Sequence, residues 1–218
     1  MSKLTETDRQ LLMSGTPLRI QNHFRQRKIL TKSHRYTDSE KNTPLHIVCQ
    51  YSPNRETVRL LVENKANLNA TNATPLHNIC KFVPNPSIVE YLTQKGSNVR
   101  AKDNRGYTPL HYICELFPIL NIIKCLVNKN RSIINQGDKQ QMTPFHYLVK
   151  NQTNIEIFQF FLDNRVDINK KTKTRDTPLH LACISDKPRI EIIQFLVKNG
   201  ANINTTNVYF LSNNLCFI

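Results

Sequence analysis

The sequence predicts an all-α solenoid of helix-turn-helix units with short β-hairpin or turn fingers, and three observations carry that prediction. Thr-Pro-Leu-His recurs at 43–46, 74–77, 108–111 and 177–180, with Thr-Pro-Phe-His at 143–146, at spacings of 31, 34, 35 and 34 residues. A fixed period in this range marks a repeat architecture and takes precedence over local readings. After each tetrapeptide, apolar residues follow at helical rather than alternating spacing. A short polar stretch then returns the chain to the next Thr-Pro.

Each tetrapeptide opens an inner helix. Threonine is a good N-cap, and proline fits the first helical turn, where no backbone donor is needed and φ is already helical. The residues behind it, Ile47-Val48-Cys49, Asn78-Ile79-Cys80, Tyr112-Ile113-Cys114, Tyr147-Leu148-Val149 and Leu181-Ala182-Cys183, give a mostly small or apolar face suited to close packing. Breaks at Pro53-Asn54, Pro84-Asn85-Pro86, Pro118, Thr153-Asn154 and Pro188 end these helices and stiffen that rim. An outer helix follows each break, with apolar pairs at Val58/Leu61, Val89/Leu92, Ile123/Leu126, Phe158/Phe161 and Ile193/Leu196. The returns include Lys65–Asn69, Gly96–Arg100, 130–135, Arg165–Asn169 and Gly200–Asn204. They read as fingers, the one between Asn69 and Thr74 blunted because its link is about three residues shorter than the others.

These features resemble the ankyrin repeat family, whose unit of about 33 residues carries T-P-L-H, two antiparallel helices and a projecting hairpin. The expected organisation is a degenerate N-terminal pair of capping helices in 1–36 and five repeats in 37–207 (about 42–70, 73–102, 107–137, 142–171 and 176–206). In the capping pair, helices are expected at Thr7–Met13 and Leu18–Leu30 around Gly15-Thr16-Pro17, the second carrying Arg19, Arg25, Arg27 and Lys28. Residues 208–218 read as an apolar tail, the truncated beginning of a sixth repeat. The family favours a left-handed glycine after the second helix; here Gly96 and Gly200 keep it while Lys65, Asn130 and Arg165 stand in.

No run approaches the roughly 18 apolar residues of a membrane span, and the amino-terminal residues have no apolar signal core. The expected location is therefore intracellular, cytoplasmic or nuclear, with the six scattered cysteines reduced. The net charge of +14 raises the prior for an acidic partner, but 25 Asn, 20 Ile and 17 Lys are also what an AT-rich coding sequence produces.

Four His-x-x-Cys pairs (46/49, 77/80, 111/114 and 180/183) place two metal ligands on one helix face. Their repetition in unit after unit argues for packing over a metal or nucleophile site, because catalysis uses one constellation. The resemblance gives this histidine the task of tying the helix start to the neighbouring turn. With no phosphate loop, dinucleotide fingerprint or zinc-protease motif, the reading is a protein that is not an enzyme and needs no cofactor.

The resemblance implies recognition on the concave surface of fingers and inner helices. Carried over by the Thr-Pro anchors, its contact positions are Glu40, Asn42, Gln50 and Tyr51; Lys81 and Phe82; Asn104, Arg105, Tyr107, Glu115 and Leu116; Lys139, Gln140, Met142, Lys150 and Asn151; and Lys173, Thr174, Asp176 and Ile184. The core of this set is Tyr51, Lys81, Phe82, Arg105, Tyr107, Leu116, Lys139, Met142, Lys150 and Lys173. Tyr51, Phe82, Tyr107, Leu116 and Met142 are candidate apolar anchors. Lys170, Lys171, Lys173 and Arg175 crowd the fifth finger with positive charge. The expected function is a monomeric, non-catalytic adaptor or scaffold binding a protein, with an acidic partner as one form. The alternatives are a binder of nucleic acid or another anion, and the recruitment half of a larger protein.

Overall fold

The structure is a computed structural model that describes residues 2–26, 36–70, 73–151, 154–184 and 190–208. Several expectations fall outside those residues: the end of the second N-terminal helix, the shortened link before Thr74, the breaks at Thr153 and Pro188, and the tail beyond Val208. The described residues form twelve α-helices and one two-stranded sheet, in two compact units, 1–104 and 105–218.

In the first unit, α1 (Glu6–Ser14), α3 (Pro44–Tyr51) and α5 (Pro75–Lys81) are inner helices, paired with outer helices α2 (Pro17–Gln26), α4 (Arg55–Glu63) and α6 (Pro86–Gln94). Inner packs on inner, α1 on α3 on α5, and α4 packs on both α2 and α6. In the second unit, inner helices α7 (Pro109–Leu116), α9 (Pro144–Asn151) and α11 (Pro178–Cys183) stack in order. Their outer helices are α8 (Leu120–Lys129), α10 (Ile155–Asp163) and α12 (Ile190–Lys198). Four of the five predicted outer-helix pairs are in the core; Leu45, Val58, Leu61, Leu76, Val89 and Leu92 are fully buried in the first unit, and Leu110, Ile123, Leu126, Phe145, Phe158 and Phe161 in the second, while on α12 the buried partner of Leu196 is Ile192 and the predicted Ile193 is half-buried.

The tetrapeptide acts through its histidine. Thr43, Thr74, Thr108, Thr143 and Thr177 each donate the backbone N–H to Nδ1 of the histidine three residues on, at 3.0–3.2 Å. A ring nitrogen that accepts leaves the proton on Nε2. From there His46 donates to the Ala73 carbonyl (2.8 Å), His111 to Met142 (3.1 Å) and His146 to Lys170 (3.0 Å), so each ring joins its own helix start to the following finger. A second link is Asn135, whose side chain accepts from Asp167 N–H and donates to the Arg165 carbonyl; Asn169 does the same with Asn202 and Gly200.

The N-terminal pair uses the same cap with a different side chain. Thr5 caps α1 and Asp8 stands where the repeats carry histidine, accepting from Thr5 N–H at 2.7 Å and lying 2.8 Å from His23 Nε2. Thr5-Glu6-Thr7-Asp8 is thus in register with Thr-Pro-Leu-His, and α1 begins one residue before the sequence expectation. The parallel bridge between β1 (Ser2–Lys3) and β2 (Tyr36–Thr37) was not foreseen; it pairs residues 34 positions apart, beyond the reach of local patterning.

Lys65 (φ 63°) and Arg165 (φ 62°) adopt the left-handed conformation after α4 and α10, beside Gly96 and Gly200. Asn130 does not. It is extended (φ −158°), because its side chain caps a 3₁₀ helix over Arg131–Asn135 that replaces the left-handed turn. A side chain in the left-handed region costs about 1 kcal/mol. Lys65→Gly and Arg165→Gly are therefore each expected to raise Tm by about 2–4 °C, as read by thermal melting. An unchanged or lowered Tm in both would contradict this account of the turns.

Candidate protein-binding surface

Three fingers are closed by the residue that opens them. Asp138 Oδ1 accepts from Gln140 and Met142 N–H (2.7 and 2.9 Å), and its backbone N–H donates to the Met142 carbonyl. Asp38 closes the equivalent turn on Glu40 and Asn42 in the same way. In the fifth finger Thr172 takes over, accepting from Asp176 N–H. Two residues before Thr43, Thr108, Thr143 and Thr177, the backbone is left-handed at Lys41 (φ 66°), Gly106 (82°), Gln141 (60°) and Arg175 (64°). Only Gly106 must also lack a side chain, since a Cβ there would lie 2.8 Å from Lys139 N.

That close approach lets the fingers of the second unit stack. Lys139 N–H donates to the Arg105 carbonyl (3.1 Å), Lys173 N–H to Gln140 (2.9 Å) and Val208 N–H to Thr174 (3.1 Å). Arg105 and Lys139 are thereby brought side by side, and Lys173 lies beside Gln140. All three side chains are exposed, as is Lys150 on α9. Leu116, at the end of α7, is 44% exposed, and Met142 is half-buried.

Tyr107 must be removed from the predicted contact set. It is 2% exposed, because Gly106 admits the next finger and the ring is enclosed by Tyr112 and Tyr147, with centroids at 5.0 and 5.2 Å. The Arg105 guanidinium lies over its outer face at 4.0 Å and donates to its hydroxyl (2.7 Å); that hydroxyl in turn donates to Glu115 (3.3 Å). Burial raises the phenol pKa to about 12. Tyr107 therefore orients Arg105 and supports the finger. Asp176 is also buried (7% exposed), its carboxylate receiving the Asn207 amide.

In the first unit, Tyr51 and Phe82 are 43% and 40% exposed. Lys81 is half-buried, its ammonium 4.8 Å from the Phe82 ring centroid. Sequence reasoning passed over Val83 and Phe117, exposed at 44% and 41% directly after Phe82 and Leu116. Their adjacency to two chosen residues was the available signal. It also passed over the left-handed set at 41, 141 and 175, which alignment on Gly106 would have revealed.

Two of the four His-x-x-Cys pairs, 46/49 and 111/114, join a fully bonded histidine to a buried cysteine, whereas His180 and Cys183 are half-buried. Cys49, Cys80 and Cys114 are fully buried, and burial pushes the thiols of Cys49 and Cys114 well up, away from the reactive thiolate. Both ring nitrogens of His46 and His111 are engaged in the hydrogen bonds described above, as are those of His146, which has Val149 in place of the cysteine. No helix among the described residues is long and apolar enough to cross a membrane.

Comparison with known families agrees with this geometry. The family model for ankyrin repeats matches three times, over residues 10–103, 76–172 and 120–207, and the chain belongs to the ankyrin-repeat family. Ankyrin repeats are in general protein–protein interaction modules. No curated protein matches the chain.

Proposed function

We propose that this chain is a non-catalytic protein-binding module, an adaptor or scaffold, that recognises its partner through finger residues and the exposed ends of its inner helices. The observation that carries the reading is a recurrent exposed apolar position. Eight residues after the capping threonine stand Tyr51, Phe82 and Leu116, each 40–44% exposed at the end of an otherwise buried inner helix. Isolated surface apolar residues are ordinary, but large ones at one repeated register position supply anchors of the kind that dominate binding energy. Hydrogen bonds already hold the fingers, so little ordering entropy is lost on association. The reading requires no cofactor and takes the chain as a monomer working inside the cell, in cytoplasm or nucleus.

Phe82→Asp and Leu116→Asp test it, since both side chains are exposed and neither belongs to the core. In affinity capture from a eukaryotic lysate, the double variant is expected to lose a discrete partner that the wild type retains, while its Tm stays within about 2 °C, as surface changes usually allow. Retention of the same partner by the folded double variant would overturn the assignment of these anchors.

A further inference from the structure

In the second unit the exposed carboxylates are sorted by direction, whereas exposed cations such as Lys129, Arg165 and Lys198 are found away from the fingers as well as on them. The cations of the finger side, Arg105, Lys139, Lys150, Lys171, Lys173 and Arg175, are exposed. The carboxylates of that side are taken up internally. Asp138 (5% exposed) accepts two backbone N–H groups and the Tyr147 hydroxyl, and Asp176 (7% exposed) is bonded to Asn207 and Thr174. Glu115 receives the Tyr107 hydroxyl and lies 3.9 Å from Arg105. The exposed carboxylates of this unit among the described residues, Glu156, Asp163, Asp167 and Glu191, belong to the outer helices and the turn after α10.

Resting on the protein-binding reading above, we infer that the finger face of 105–208 recognises an extended acidic peptide segment of its partner. In this arrangement Arg105, Lys139 and Lys173 pair with successive carboxylates, and Leu116 receives an apolar side chain between them. The backbone bonds between fingers set one of these cations on each of three consecutive fingers, so the charge is spread in file and suits an anion distributed along a chain. Arg105 is further held over the Tyr107 ring, 4.0 Å from its centroid, and donates to the Tyr107 hydroxyl, which limits the positions its exposed guanidinium can take. The rings beside this file, Tyr107, Tyr112 and Tyr147, are at most 8% exposed and packed on one another. They present no free face on which nucleic-acid bases could stack, and Phe117, exposed at 41% beside Leu116, is a single ring where a strand of successive bases needs several, which favours a peptide over single-stranded nucleic acid. Complementary charge of this kind speeds encounter and fixes register, and it weakens with salt.

The test uses the full chain and a fluorescein-labelled 12-residue peptide with glutamate at alternate positions and one central leucine, read by fluorescence anisotropy at 50 and 150 mM NaCl. K139E/K173E is compared with K129E/K198E, which changes net charge equally but on the exposed last turns of α8 and α12. The peptide is expected to bind, about tenfold more weakly to K139E/K173E and within twofold of wild type for K129E/K198E. Equal losses in the two variants, no binding at 50 mM NaCl, or tighter binding of a 12-nucleotide oligothymidylate would each overturn the inference. Lysate capture in parallel separates the two levels. A nuclease-resistant partner retained by K139E/K173E would remove the acidic-segment inference and leave the protein-binding reading standing, whereas capture that disappears with nuclease would remove both.

Discussion

Leu110→Asp is expected to unfold more than the helix that carries it. Leu110 is fully buried at the start of α7, and α7 packs on both α8 and α9. A carboxylate there has neither water nor a partner, a cost of at least about 4 kcal/mol against a total stability of roughly 5–15 kcal/mol for a domain. In a repeat protein each unit is stabilised chiefly by its neighbours, so the loss propagates along the stack. Hydrogen exchange followed by mass spectrometry should show α7, α8 and α9 all losing protection in the variant, while Leu110→Ala, costing about 3 kcal/mol, retains most of it. Loss confined to α7 would contradict nearest-neighbour stabilisation.

The second large effect is on pH dependence. Burial holds His46 and His146 down at about 4, against an ordinary 6.5, because each ring is enclosed as the neutral form. Between those two pH values the unfolded chain binds protons that the folded one does not, so stability falls as pH is lowered from 6.5 and levels off below about 4. By pH 5 each histidine has cost about 2 kcal/mol, since one pKa unit corresponds to about 1.4 kcal/mol. Because the two rings lie one in each compact unit, both should melt earlier in acid. A Tm that does not change between pH 7 and pH 4.5 would show that these rings are not held neutral.

Much of the fold was legible because the repeat writes its signals locally. Thr-Pro marks the helix start in the residues themselves, and the apolar pairs of the outer helices fall at helical spacing. Phe145 shows the same coherence: it stands where the other repeats carry leucine, and the extra volume is met by Phe158 and Phe161 on α10, at centroid distances of 5.7 and 5.6 Å. The features that were not legible depend on a neighbour. Tyr107 reads as an exposed aromatic until the following finger, admitted by Gly106, encloses it beside Tyr147. Asp8 does not read as a counterpart of the repeat histidine until Thr5 is seen to cap α1 through it. Asn130 tolerates the left-handed conformation on propensity, yet its side chain caps a 3₁₀ turn instead. The proposed contact surface rests on register positions that the sequence supplies, but which acids the fingers bury could not be read there: Asp138 and Asp176 count as surface acids in composition and are buried in the folded fingers.

The most direct test of the proposed function is affinity capture of the full chain from a eukaryotic lysate, with and without nuclease, followed by mass spectrometry. A protein-binding module should retain the same discrete partner in both arms. Capture that vanishes with nuclease would contradict the account and make the exposed cations of the fingers a nucleic-acid surface instead.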